Sequence, residues 1–229
     1  DRRQRQMCIR DSPKGDHQHQ KYLPTNGGAL LLRDNWHIIG ASQRGRGHEQ
    51  GGYREDDFEL RVLIQDDAII IAIADGVGSK PFARFGAREA VRGATMPDPY
   101  TDKYVANLLA ALNAPAEAAS KLTACDVIAG NILTHAFDMA QKGVRSRAKS
   151  ARIAEDDMHS TLIVLLAIRY HTNEGQPRLY LASAQVGDGL VYYRVGNAEN
   201  LTFPWEIIEA AQTPGVNNQV RPLLQTTVQ

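Results

Sequence analysis

Acidic residues set in glycine-rich turns recur along this sequence, and they are the groups in it best suited to chemistry. Ala74-Asp75-Gly76-Val77-Gly78-Ser79 puts an aspartate at the end of an apolar run, Glu55-Asp56-Asp57 precedes another run, and Gly187-Asp188-Gly189 separates two more. Carboxylates and carbonyls held on rigid strand ends are the hard oxygen donors that divalent cations take. Each group also has a plainer reading. Asp75 could bond its own backbone in a tight turn, the triplet could be a solvated strand cap, and Asp188 a hairpin residue between glycines. Asp75 by itself does not decide between them. A second carboxylate cluster brought to the same end of the same sheet makes an oxygen-liganded metal site the better explanation.

Two strands are positioned to do this. Residues 69–74 form a short β-branched run bounded by Asp66-Asp67 and by glycines, which reads as a strand buried on both faces. Ahead of it, Phe58, Leu60, Val62 and Ile64 alternate with polar residues, the period of a half-buried strand. Joined by the Asp66-Asp67 turn, the two make an antiparallel hairpin with Glu55-Asp56-Asp57 and Asp75-Gly76 at one end. A polar loop rich in glycine and arginine, residues 43–54, leads into the triplet, and Trp36 to Ser42 reads as a first strand.

The remaining elements follow from periodicity. Residues 81–91 read as a helix with proline near its first turn, ending near Gly93. Met96-Pro97-Asp98-Pro99 reads as a loop and residues 102–112 as a helical segment. In a longer helix Ile128, Ile132, Ala136 and Ala140 recur every four residues beside Leu133 and Phe137, one buried stripe with His135 at its edge. Lys142, Arg145, Arg147, Lys149 and Arg152 read as a basic loop, solvated or, in a sharper reading, holding phosphorylated substrate. Residues 161–168, 179–186 and 190–195 are strands joined as hairpins. That order suits an α+β fold, two packed antiparallel sheets with helices outside.

With 229 residues, 43% hydrophobic and 23% charged, the chain can bury one substantial core. Lys+Arg and Asp+Glu both number 26, so no global charge argues for nucleic acid or an anionic membrane as partner. Cys8 and Cys125 are too few for a disulfide framework or a zinc ribbon and suit a reducing, cytoplasmic setting. No apolar stretch approaches the roughly 20 residues that span a bilayer. Residues 1–28 are polar, and are expected to be a disordered or non-native tail, with Gln6 to Ser12 similar to translated adaptor sequence. Residues 29–229 are then one domain.

Taken together, Glu55-Asp56-Asp57-Phe58, Ala74-Asp75-Gly76-Val77-Gly78-Ser79 with Gly86-Ala87-Arg88-Glu89-Ala90, and Val186-Gly187-Asp188-Gly189 resemble the metal-dependent serine/threonine phosphatases of the PP2C (PPM) type. Gly45-Arg46-Gly47-His48 is similar to the loop of the bacterial subgroup, and His159-Ser160-Thr161 to the segment before the third motif. The resemblance implies a PP2C-like β-sandwich and two Mn2+ or Mg2+ ions. It implies hydrolysis of phosphoserine or phosphothreonine in a protein substrate, opposing a Ser/Thr kinase. It implies Asp75 as bridging ligand, the Gly76 carbonyl as a further one, Asp56 or Asp57 from the first motif, and Asp188 at an additional metal. Phe58 two residues on favours Asp56, whereas spacing from His48 favours Asp57. Arg54, or Arg46, is the candidate for the phosphate, since guanidinium matches its oxygens bidentately.

Two departures bear on activity. Val77 stands where many relatives carry histidine, leaving water to protonate the leaving group. The family's later Asp-Gly strand end and final Asp-Asn motif are not found after Asn217-Asn218, so the chain is expected to stop short of them. The alternative reading is an inactive phosphatase-fold module that binds a phosphoprotein. A third, nucleotide binding through Gly76-Val77-Gly78-Ser79, lacks the residues of a P-loop or a dinucleotide site.

Overall fold

The computed structural model describes residues 20–22, 30–32, 36–38, 40–43, 54–63, 67–115, 118–187, 189, 191–193, 206–208, 221–222 and 226–227. Its strands are β1 Gln20–Tyr22, β2 Leu30–Leu32, β3 Trp36–Ile38, β4 Ala41–Gln43, β5 Asp57–Leu63 and β6 Ala68–Ala74, then β7 Leu162–His171, β8 Pro177–Val186, β9 Val191–Tyr193, β10 Glu206–Ile208, β11 Arg221–Pro222 and β12 Thr226–Thr227. The helices are α1 Ala83–Ala94, α2 Pro99–Asn113 and α3 Ala118–Ala151, followed by a 3-10 turn at Glu155–Met158.

The expected α+β class is what the chain forms. One antiparallel sheet runs β11-β8-β7-β6-β5, with β12 also on β8, and the pairs β1-β4, β2-β3 and β9-β10 are separate two-stranded ladders. The β5-β6 hairpin pairs Asp57 with Ala74 and Leu63 with Ala68, so the acidic triplet and Asp75 do share one sheet end. Alternation then sorts the side chains. Ile70, Ala72, Val164, Leu166 and Ala182 face the helices and join Val91, Leu108, Ile132 and Leu133 in one core. Each such large side chain removed from water contributes about 1.5–3 kcal/mol. Tyr180 enters that core with its hydroxyl donating to Asp126 Oδ1 at 3.1 Å, tying β8 to α3.

The opposite face carries Phe58, Leu60, Ile71, Ile73, Ile163 and Leu165. Burial of the 69–74 run on both faces therefore holds for Ile69 and Ile70 but not at its outer end, where Ile73 is 50% exposed. That end overhangs the cavity described below. Trp36 to Ser42 also divides, into β3 and β4 with different partners. Within the stretch read as a tail, Gln20–Tyr22 pairs with β4.

Two helix boundaries differ from the periodicity reading. Helix α2 starts earlier, because Asp98 is its N-cap, accepting from the Tyr100 and Thr101 N–H groups, with Pro99 preorganised in the first turn. The basic run 142–152 is not a loop. Rich in Arg, Lys and Ala and free of proline, it continues α3 to Ala151. The helix ends where Arg152 takes φ 57°, with Ile153 N–H bonded to the Ala148 carbonyl and Arg152 N–H to that of Lys149, a Schellman closure on a non-glycine residue.

Candidate active site

Strand ends β5 and β6 bring the first two acidic motifs together. The Asp75 carboxyl lies close enough to that of Asp56 to bear on its ionisation, and both line one cavity. Asp56 meets solvent on one side yet is hemmed in by protein elsewhere. Desolvation first, then the Asp75 carboxyl and the nearby Glu55, push its pKa up to about 7, against the opposing pull of Arg54. Burial and a neighbouring acid both disfavour the charged form of a carboxyl.

The neighbouring Asp57 is the more buried of the two. It is 6% exposed, its Oδ1 accepts its neighbour's Phe58 N–H at 2.9 Å, and Arg54 Nη1 stands 3.7 Å from it. The pleat separates the two aspartates, as alternation requires. Arg54 is itself largely buried, with Nε and Nη1 lacking a hydrogen-bond partner among the described residues.

Backbone around the two acids is pinned by residues that sequence reasoning did not single out. Thr161 N–H donates to the Asp75 carbonyl at 2.7 Å, and Asp75 N–H donates to Thr161 Oγ1 at 3.0 Å. Val77 N–H reaches the His159 carbonyl at 3.0 Å, so Gly76 and Ser160 form an antiparallel bridge. In such a bridge the flanking residues exchange the hydrogen bonds, leaving the Gly76 carbonyl uncommitted by it. On the other strand, Ser42 Oγ donates to the Asp56 carbonyl at 2.9 Å. Glu55 lies over the same turn, its Oε2 3.2 Å from where a Cβ on Gly78 would stand. The resemblance of His159-Ser160-Thr161 was the available signal for Thr161. Glu55 had its place in the acidic triplet, and Ser42 had no signal beyond being polar at a strand end.

A cavity of about 670 Å³ opens beside the carboxylates, with Asp56, Asp57, Asp75 and Ser42 in its polar lining and Ile73, Ile163 and Tyr192 on its wall. The donor set fits a hard cation, being carboxylate oxygens whose crowding a positive charge relieves. Among the described residues no third His, Cys, Asp or Glu completes a metal-holding group. Asp188, Arg46 and His48 lie outside the described residues.

A family model described as protein phosphatase 2C matches residues 44–206, more than half of the sequence. The chain belongs to the protein phosphatase 2C family. That match spans all three acidic motifs and supports a phosphatase acting on phosphoproteins, in a family that generally uses Mn2+ or Mg2+. A comparison with curated proteins returns no match. Among its described residues, this phosphatase 2C chain has no helix long and apolar enough to cross a membrane.

Proposed function

We propose that residues 29–229 form a protein serine/threonine phosphatase domain that transfers the phosphoryl group of phosphoserine or phosphothreonine to water. The water oxygen bonds to phosphorus, the side-chain oxygen leaves, and the products are the free hydroxyl and inorganic phosphate. The observation that carries the proposal is the Asp56–Asp75 carboxyl pair at the cavity mouth, next to a largely buried arginine. Asp75 and Asp56 would hold the cations, with the Gly76 carbonyl and, from its motif, Asp188 as further donors. Asp57 serves better as the partner that orients Arg54. Bound Mn2+ or Mg2+ would supply Lewis acidity and lower the pKa of water. Arg54, held by Asp57, would present its guanidinium to the phosphate oxygens. With Val77 38% exposed where relatives place histidine, solvent protonates the leaving oxygen.

Cytoplasmic residence and an opposing Ser/Thr kinase complete this reading, supported by the two cysteines and the phosphoprotein chemistry of the family. A second reading, a phosphoprotein-binding module without turnover, is supported by the lack of a third His, Cys, Asp or Glu metal donor among the described residues. Hydrolysis of p-nitrophenyl phosphate and a phosphothreonine peptide with Mn2+ separates the two. Mn2+-dependent turnover is expected to fall roughly 100-fold or more in Asp75→Asn and Asp56→Asn and less in Asp57→Asn. Calorimetric Mn2+ binding should weaken in the same order. A folded protein that binds phosphopeptide but turns over nothing at any Mn2+ concentration leaves the binding module as the better account.

A further inference from the structure

Residues 80–95 and 138–157 carry nine Lys and Arg against five carboxylates, Glu89, Asp138, Glu155, Asp156 and Asp157, an excess of four in a chain of formal charge zero. The fold places these two segments side by side. Helices α1 and α3 pack antiparallel and close, because a Cβ on Gly93 would stand 2.4 Å from the Met139 carbonyl oxygen and one on Gly143 2.9 Å from that of Glu89. Their inner faces are filled by Ala87, Ala90, Val91, Ala136 and Ala140. The cations therefore fall on the outer faces. Arg88 and Arg92 are exposed on α1, and Lys142, Arg145 and Lys149 on α3. At the end nearest Asp75 the rows meet, where the Phe85 ring has the Arg84 guanidinium 4.5 Å from its centroid and that of Arg147 at 5.1 Å. Two exposed ion pairs, Arg145–Glu155 at 3.3 Å and Arg92–Glu89 at 4.0 Å, neutralise little of this charge.

We propose that this two-helix face docks an acidic stretch of the phosphoprotein substrate, an inference that rests on the phosphatase reading above. The segment from Lys142 to Arg152 is about 15 Å long at 1.5 Å per residue, the span of an extended acidic run of about five residues. A membrane surface is a poorer occupant, since none of the exposed large apolar side chains among the described residues lies on these segments. Nucleic acid is poorer too, because a neutral chain lacks the long-range attraction that such binding uses. The face is also physically joined to the carboxylates. Helix α1 follows Asp75 across one turn, and α3 returns through Glu155–Met158 to the 159–161 segment that holds Asp75. Gly86 seals the junction, since a Cβ there would lie 1.8 Å from the Met158 carbonyl oxygen.

The test uses two labelled peptides, each with one phosphothreonine, one followed by five glutamates and the other by five glutamines. Fluorescence anisotropy should show the glutamate peptide binding about tenfold tighter at low salt, with the advantage lost at high salt. The triple variant Lys142→Glu/Arg145→Glu/Lys149→Glu should lose that advantage and keep its p-nitrophenyl phosphate turnover. Equal binding of the two peptides, or an unchanged preference in the triple variant, overturns the proposal. So does a duplex DNA that binds as tightly as the glutamate peptide and is lost in the same variant. Anisotropy reads docking whether or not the protein turns substrate over, and p-nitrophenyl phosphate reads turnover alone, so the two readings fail separately.

Discussion

Thr161 holds Asp75 by both its N–H and its carbonyl, and so fixes the direction in which the carboxylate leaves the sheet. Its methyl is held in turn, because a Cβ on Gly187, where φ is 97°, would stand 2.6 Å from Thr161 Cγ2. Thr161 is thus a positioning residue. Thr161→Val keeps the shape and loses the hydroxyl, and is expected to lower kcat about tenfold with little change in KM. Thr161→Ser should restore most of the loss, and an equal loss in both variants would assign Thr161 a packing role only. Asp56 gives a pH prediction. Its folded pKa of about 7 lies above the ordinary aspartate value, so the folded state binds the proton more tightly. Metal-free stability is therefore greatest below the unfolded pKa near 4 and declines as pH rises towards 7. Asp56→Asn should remove that decline and raise metal-free stability at pH 8 by on the order of 1 kcal/mol, the solvent-facing side of the group being screened. Urea titrations from pH 4 to 8 measure both.

At the scale of elements, the start of α2 depends on one carboxylate. Asp98 accepts from two backbone N–H groups and from the Thr101 hydroxyl, and its Oδ1 lies 3.2 Å from His135 Nε2 on α3, whose ring packs on Tyr100. Burial works against its ionisation, but the Thr101 hydrogen bonds and His135 outweigh it and hold its pKa below the usual carboxylate range. A depressed pKa contributes stability above the unfolded value, and that contribution is lost as pH falls through the folded one. Asp98→Ala should cost about 1 kcal/mol at neutral pH. The difference between wild type and Asp98→Asn should narrow on acidification below pH 4, and a constant difference there would refute the ionised cap. The helix α1 junction allows a sharper prediction. Gly86→Ala drives a methyl into the Met158 backbone, and is expected to cost more than 3 kcal/mol or to displace the 155–161 segment and Asp75 with it.

At the scale of the whole molecule, the described residues share one core between the sheet and helices α1, α2 and α3. Leu166 and Leu133 are fully buried in it, from β7 and α3 respectively. Truncating either to alanine should cost about 2–5 kcal/mol, read as a lower urea midpoint with an unchanged slope. Much of this architecture is legible in the order of residues. The alternation of Phe58, Leu60 and Val62, the Ile69–Ala74 register and the four-residue stripe on α3 each follow from a local period, and local periods are written in sequence. The meeting of Glu55-Asp56-Asp57 with Asp75 is legible for the same reason, since a tight hairpin leaves its two open ends together. Which aspartate is the more buried, what clamps Asp75, and where the basic run lies are not. Asp56 and Asp57 are chemically identical, and only the sheet's two unequal faces distinguish them. Thr161 reaches Asp75 across 86 residues of chain. The cations of α1 and α3 become one surface only because glycines let two distant helices touch, a pairing that no period in the sequence encodes.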